Sequence, residues 1–362
     1  MKFAFIIHPL DLEYVTGRFK FFKLLPGVLA EGIMRNVPVY KASEITGVRS
    51  PHAQTEGWFI VCPLTSRQML SLPVDYVTRR IIEAGRLAER LGAEIVGLGA
   101  MTSVVGDAGV TIANNLNIAV TSGNSYTVAT ALDGACQAAE FMGIKLSQAE
   151  VTVVGATGSI GSVCARILAP EVGSMTLVAR ERHRLERVAH QILNDTGVVP
   201  RLTIDIREAL RNADIVITVT SAVDSVIEPS YLKTGAVVCD VARPRDVSRQ
   251  VAQMRPDVLV IEGGVVDVPG DVEFNFNFGF PPKTAYACMA ETMILSLENR
   301  AENFSLGRDL SVKQVREISA LGHKHGFKLA GFRSFERALN LSDLENVRSA
   351  AENLHKLAFK PI

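Results

Sequence analysis

The chain has 362 residues, 48% of them hydrophobic, with 38 Lys and Arg balanced by 38 Asp and Glu. That length suits two or three globular domains with ample core, and the even charge leaves no overall electrostatic footprint for nucleic acid or an anionic membrane. No stretch approaches the roughly 18 uninterrupted apolar residues of a membrane span, and five scattered cysteines without CxxC spacing argue against a disulfide framework and a zinc site, which points to a reducing cytoplasm.

In chain order, MKFAFII holds an apolar run too short for a signal sequence and reads as a first strand, Phe3 to Ile7. Further strands are expected at Trp58 to Cys62 and Glu94 to Leu98, with a helix over Val74 to Leu91 between them, stopped by Gly92. Residues 1–122 thus form an N-terminal α/β substrate domain. Residues 123–148 hold a connecting helix, from about Ser125 to Met142 and closed by Gly143.

The segment VTVVGATGSIGSVCARIL, Val151 to Leu168, is a β-branched strand passing through three glycines into a helix. Gly155 permits the tight turn, Gly158 a close backbone approach to phosphates, and Gly161 the packing of helix on strand. Thr157, Ser159 and Ile160 complete a loop whose N–H groups face an anion. Strands at Met175 to Val178, Ile215 to Val219, Ala236 to Cys239 and Val258 to Ile261 extend a parallel, doubly wound Rossmann-type sheet over residues 149–285. Ligands bind beyond the carboxyl ends of such strands, which brings in Ser221 and Ala222. Where NAD sites carry a carboxylate this chain has Arg180, followed by Arg182 and Arg184. Guanidinium groups suit a 2′-phosphate, so NADP is expected rather than NAD; the alternative is an exposed basic turn.

None of the six tyrosines has a lysine four residues on, so the Tyr-x-x-x-Lys route of short-chain dehydrogenases is closed. A thiol that captures an acyl group is the other common partner of a nicotinamide. Cys62 and Cys239 fall in strands, and Cys136 and Cys164 in helices, ordinary places for a small buried residue. Cys288 falls near the start of the helix expected from Pro281-Pro282 to about Asn303, where helix N–H groups favour a thiolate. By position alone it is a nucleophile or a packing residue.

Several strings together resemble one family, the fatty-aldehyde-forming long-chain acyl-[acyl-carrier-protein] reductases of the cyanobacterial type. They are GLGAMTSVVG (Gly97–Gly106), TSGNSYT (Thr121–Thr127), GIKLSQAEVTVVGATGSIGS (Gly143–Ser162), ARERHRLE (Ala179–Glu186), AYACMAE (Ala285–Glu291), NFSLGR (Asn303–Arg308) and HKHGF (His323–Phe327). The resemblance implies that Cys288 is the nucleophile of a ping-pong reaction: an acyl thioester on acyl carrier protein, or on coenzyme A, acylates the thiol, and NADPH reduces the acyl-enzyme to a fatty aldehyde. It further implies help from Mg2+, for which no carboxylate cluster is evident, and, in cyanobacterial hosts, transfer of the aldehyde to a deformylating oxygenase. Residues beyond Phe327 have no recognised counterpart. The C-terminal part divides into helices over 286–340, opened by Cys288 and including one capped by Ser311-x-x-Gln314, and a terminal helix over 341–362 capped by Ser342-x-x-Glu345.

Ser103, Thr121, Ser122, Asn124 and Ser125 supply oxyanion donors or, equally, turn and cap hydrogen bonds. Tyr286 orients substrate or fills core. His323 and His325, two apart, do not share a helical face and are expected to cap the last carbonyls of their helix. An acidic carrier protein would be met by Arg79, Arg86 and Arg90, partly neutralised by Glu83, unless they form a solvated, salt-bridged face, the safer reading, or by Arg18, Lys20 and Lys23 among Phe19, Phe21 and Phe22, which equally suit core or acyl-chain lining. Two other readings stand: an NADP oxidoreductase resembling the two-domain shikimate and methylene-tetrahydrofolate dehydrogenases, without covalent catalysis, and a non-catalytic NADP(H) sensor.

Overall fold

The computed structural model describes residues 1–11, 27–222, 224–277 and 279–358. The basic and aromatic segment Arg18–Lys23 lies outside them. The chain divides into two compact units, the first made of 1–126, 266–310 and 316–328, the second of 127–265, 311–315 and 329–362.

The first unit is built on a six-stranded mixed sheet. Strands β1 (Phe3–Ile7), β2 (Tyr40–Arg49), β3 (Gln54–Val61), β4 (Ile95–Leu98) and β5 (Ala119–Thr121) are joined at the β2 edge by Gly270–Glu273, in the order Gly270–Glu273, β2, β3, β1, β4, β5. β3, β1, β4 and β5 run parallel, and β2 forms a hairpin with β3. The sequence reading missed β2 and β5. β2 alternates exposed and buried residues without a long apolar run, and β5 is only three residues long. Helix α1 (Val74–Arg90) lays Val77, Ile81, Ala84 and Ala88 on Ala4, Ile6, Ile60 and Val96. Each buried Val or Ile in such a face contributes about 1.5–3 kcal/mol.

In the second unit, after helix α2 (Asn124–Phe141), come β6 (Glu150–Val154), helix α3 (Ser159–Leu168), β7 (Ser174–Val178), helix α4 (Arg182–Thr196), β8 (Arg201–Thr203), β9 (Ile215–Thr218), β10 (Val237–Asp240) and β11 (Leu259–Glu262). The six strands are parallel and ordered β11-β10-β9-β6-β7-β8, two βαβαβ halves meeting at β6 and β9, which is the dinucleotide-binding arrangement. Burial follows the pleat. Val216, Val238 and Val260 join one core cluster with Ile227, Val247 and Val251, whereas on the other face Cys239 and Gly263 meet Ala131 of α2. The fold is therefore α/β as expected, a mixed N-terminal sheet plus a Rossmann-type sheet with C-terminal helices.

From Val266 the chain belongs to the first unit again, so residues 266–285 are not part of the nucleotide-binding unit as the 149–285 boundary had it. Pro281-Pro282 does not start a helix. Pro281 O instead accepts the Thr284 N–H and hydroxyl, closing a turn that leads into a short strand, Thr284–Tyr286. Helix α5 (Ala287–Leu297) follows and ends before Asn299, which is left-handed at φ +55°. It lies against β4 so closely that a Cβ on Gly97 would stand 2.0 Å from Thr292 Oγ1.

Ser311 Oγ accepts the Lys313 N–H at the start of helix α6 (Val312–His325). The terminal helix α7 (Leu341–Ala358) is capped not by Ser342 and Glu345 but by Asn340 and Asp343, each side chain accepting the other's N–H at 2.9–3.0 Å. Before it, residues 333–338 form a small hairpin held by an ion cluster around the buried Glu262. Arg245 reaches Glu262 at 2.7 Å and Glu336 at 3.2 Å, and its guanidinium lies over Phe335. No helix among the described residues is long and apolar enough to cross a membrane.

Candidate active site

In the first unit, Cys288 is the second residue of α5, whose N-cap is Tyr286. Ten of the eleven residues of α5 are buried, and the exception is Cys288, which is half-buried. A helix packed on all sides thus presents its thiol where the first-turn N–H groups favour a thiolate. The other cysteines differ. Burial pushes the Cys62 and Cys164 thiols up to about 12 and raises those of Cys136 and Cys239 as well.

The turn Thr121–Asn124 leaves β5 and folds onto the backbone of Cys288. Gly123 has φ +73°, and a Cβ there would lie 2.3 Å from both Cα and Cβ of Cys288. Only glycine allows that backbone so close. The neighbouring hydroxyls are committed to the turn itself: Ser122 Oγ donates to Ser305 O, and Ser125 Oγ accepts from Ser305 Oγ at 2.7 Å. Ser103 Oγ likewise closes its own turn on Ala100 O at 2.7 Å. Asn124 is buried, and Tyr286 is half-buried with its ring 4.5 Å from that of Phe280.

Sequence reasoning missed Glu291, which is fully buried one turn beyond Cys288. Its carboxylate accepts from Thr121 Oγ1 at 2.5 Å, from the Tyr126 N–H at 2.7 Å and from the Gly123 N–H, with the Ser305 hydroxyl beside it. Burial pushes its pKa up, and these bonds oppose the rise. The signal was present: Glu291 is the one carboxylate in a largely apolar run from Ala287 to Leu297.

His8 was also missed. It accepts the Met101 N–H on Nε2 at 3.1 Å, so its proton sits on Nδ1 and is donated to Pro9 O at 2.9 Å. Burial lowers its pKa to about 4, with the Pro9 bond opposing. Between the ordinary value of 6.5 and about 4 the unfolded chain takes up a proton that the folded one refuses. Stability should therefore fall as pH drops through that window and be insensitive to this group above it. Urea unfolding at about pH 7 and pH 4.5 checks this: the fall should shrink in His8→Asn, and an equal fall in both proteins would refute it.

In the second unit, the glycine loop has the shape that pyrophosphate requires. Gly155 has φ +83° and a Cβ there would meet Val219 O at 2.4 Å, while one on Gly161 would meet Gly155 O at 2.4 Å. Gly158 is the exposed N-cap of α3, and no side chain caps the helix there, leaving its start suited to an anion. Thr157, Ser159 and Ile160 are half-buried around it. The loop carrying Ser221 and Ala222 is tied down by Asp246, which accepts from Thr218 Oγ1 at 2.6 Å and from Thr220 N at 2.8 Å. Asp240 gathers the Ala242, Asp246 and Val247 N–H groups, and burial raises it to about 6. After β7, Arg180 is exposed and makes no ion pair among the described residues. Arg182 pairs with Glu186 and Arg184 with Glu181, the N-cap of α4.

Two further expectations are corrected. His325 does not cap carbonyls: it is buried, bonding Ser50 Oγ at 2.8 Å and Glu298 Oε1 at 2.6 Å, while Gly326, with φ +86°, ends the helix. Glu83 does not neutralise the α1 stripe, because Arg80 takes it at 2.5 Å, and Arg79, Arg86 and Arg90 remain exposed without ion partners among the described residues. Among the described residues, no group of three or more His, Cys, Asp and Glu could hold a metal ion.

Residues 137–262 match the family model described as shikimate / quinate 5-dehydrogenase. The second unit is a Rossmann domain of the NAD(P)-dehydrogenase type. Over 96% of its length the chain is 32% identical to "Aminotransferase PigE" of Serratia sp. (strain ATCC 39006), spanning 42% of that protein. Over 81% of its length it is 28% identical to the long-chain acyl-[acyl-carrier-protein] reductase of Synechococcus elongatus (strain ATCC 33912 / PCC 7942 / FACHB-805), spanning 88% of that protein. The chain is thus a distant homologue of both. Among solved structures, quinate dehydrogenase from Corynebacterium glutamicum in complex with NAD aligns with TM-score 0.37 at 14% identity, over 88% of this chain and 98% of that one. The structure of L-tryptophan dehydrogenase from Nostoc punctiforme aligns with TM-score 0.38 at 14% identity, over 97% and 87%.

Proposed function

We propose that this NAD(P)-binding oxidoreductase reduces a long-chain fatty acyl thioester, carried on acyl carrier protein or coenzyme A, to a fatty aldehyde through a thioester on Cys288. The observation that carries the reading is the single half-buried residue of an otherwise buried helix, a cysteine in the first turn with the Gly123 backbone against it. The distant homology to the Synechococcus acyl reductase supports the substrate class.

In this reading the Cys288 thiolate adds to the thioester carbonyl, the new C–S bond forms as the old one breaks, and the carrier leaves as a thiol after taking a proton. Gly155, Thr157, Gly158, Ser159, Ile160 and Gly161 hold the pyrophosphate of NADPH, Arg180 with Arg182 its 2′-phosphate, and the Ser221-Ala222 loop lies along the same strand ends. The nicotinamide, when bound, supplies a hydride. Incubating the protein with a long-chain acyl thioester in the absence of NADPH, then weighing it intact, should give one acyl adduct that maps to Cys288. No adduct at that residue would refute the mechanism.

Arg180→Ala should raise the KM for NADPH on the order of 10- to 100-fold, the loss of one charge-assisted contact, and leave that for NADH nearly unchanged. Equal effects on the two cofactors would return Arg180 to the role of a basic turn residue.

The match over 137–262 also suits hydride transfer without an acyl-enzyme, as in a shikimate-type dehydrogenase. That alternative predicts activity that survives Cys288→Ser.

A further inference from the structure

A carboxylate taken out of water costs several kcal/mol unless hydrogen bonds replace its hydration. In a helix whose other buried residues are apolar, small or hydroxylic, a Leu or Met at 291 would avoid that cost. Glu291 instead spends its acceptor capacity on three donors, Thr121 Oγ1, Gly123 N–H and Tyr126 N–H. All three belong to one stretch of six residues, Thr121–Tyr126. Ser305 binds that same stretch, through its carbonyl to Ser122 and through its hydroxyl to Ser125. That stretch places Gly123 on Cys288, and Cys288 precedes Glu291 by three residues, hence on the same side of α5. The contacts close a circuit: Cys288, helix, carboxylate, turn, Cys288.

We infer that Glu291 is a positioning residue for Cys288, its carboxylate holding the Thr121–Tyr126 turn so that the Gly123 backbone is pressed against the Cα and Cβ that carry the thiol. That this positioning serves acyl transfer rests on the function proposed above. Glu291 does not touch the acyl group; it acts by fixing where Gly123 stands. The turn then presents backbone to whatever Cys288 binds, at a place that no side chain on Gly123 could share.

The test uses the full-length chain with Glu291→Gln and Glu291→Ala, reading iodoacetamide alkylation of each cysteine by peptide mass and acylation of Cys288 by a long-chain acyl-coenzyme A. Gln keeps the shape and part of the bonding but removes the charge. Loosening the turn and removing a neighbouring negative charge both favour attack by the thiolate on a small reagent, so Cys288 alkylation should rise on the order of tenfold, as for about one pKa unit. Acylation should fall on the order of 10- to 100-fold, because acyl transfer needs the turn in place, with Gln less impaired than Ala. Cys62, Cys164 and Cys239, all buried, should stay silent.

Both rates within about threefold of wild type in Glu291→Ala would overturn the inference. Should that variant loosen the whole unit, seen as reaction at Cys62, then Thr121→Val decides: slower acylation with Cys62 silent upholds the inference, and unchanged acylation overturns it. If wild-type Cys288 takes no acyl group, the proposed reaction falls, and the alkylation comparison still decides whether Glu291 holds the turn.

Discussion

Cys288→Ser is expected to yield a folded protein that forms no acyl adduct and releases no aldehyde, with kcat/KM down by at least about a thousandfold, or roughly 4 kcal/mol of lost transition-state stabilisation. The size of the effect follows from the chemistry of the two groups. A thiol in the first turn of a helix is within reach of ionisation near neutrality, whereas a serine hydroxyl there needs a base to take its proton. Fold and cofactor site should be spared, because the replacement is nearly isosteric and the glycine loop belongs to the second unit. NADPH binding by fluorescence should match wild type. Retention of more than a tenth of the activity would sink covalent catalysis and favour direct hydride transfer.

Gly123→Ala is the second large effect, and it combines two costs. The residue sits at φ +73°, where an L side chain loses about 1 kcal/mol. The new methyl would also stand 2.3 Å from Cα and Cβ of Cys288 and 2.8 Å from its carbonyl oxygen, all of it backbone or its immediate attachment. Neither side can yield cheaply: α5 is buried along its length and the turn is held by Glu291. An overpacking cost of about 1–3 kcal/mol is expected on top, with a melting temperature lower by several degrees. Acylation should fall on the order of a hundredfold, since displacement of a reacting group by about 1 Å is enough for that. A melting temperature and an acylation rate like those of wild type would mean that the turn does not press on Cys288.

The second unit was largely legible from its residues. Val151–Leu168 declared strand, glycine turn and helix, and the β-branched runs at 175–178, 215–219, 236–239 and 258–261 are buried parallel strands that need no amphipathic pattern. In its sheet only β8, a three-residue edge strand, escaped notice, and the small hairpin at 333–338 stands where helix was expected. The first unit was harder for identifiable reasons. β2 is broken by shifts of register against β3, and Gly270–Glu273 reaches the sheet from far along the chain, a long-range pairing that no local window contains. Pro281-Pro282 looked like a helix start because proline favours first turns, but the Thr284 hydroxyl claimed Pro281 O instead. At the site, the thiol and its helical position could be read from the chain, aided by the AYAC string. The partners of Glu291 and His8 could not: they lie at 121–126 and 101, and nothing in the spacing links them.

The threading of the first unit bears on how the chain comes off the ribosome. β1, β3 and β4 are finished within the first hundred residues, yet the helix that shelters one of their faces, with Thr292 on Gly97, is made only after the nucleotide-binding stretch has emerged. Residues 127–265 can close on themselves while the earlier sheet still waits, one side wet, for its cover. The part translated first is thus completed late, and during that interval its bare apolar strands are the segment most in need of a chaperone.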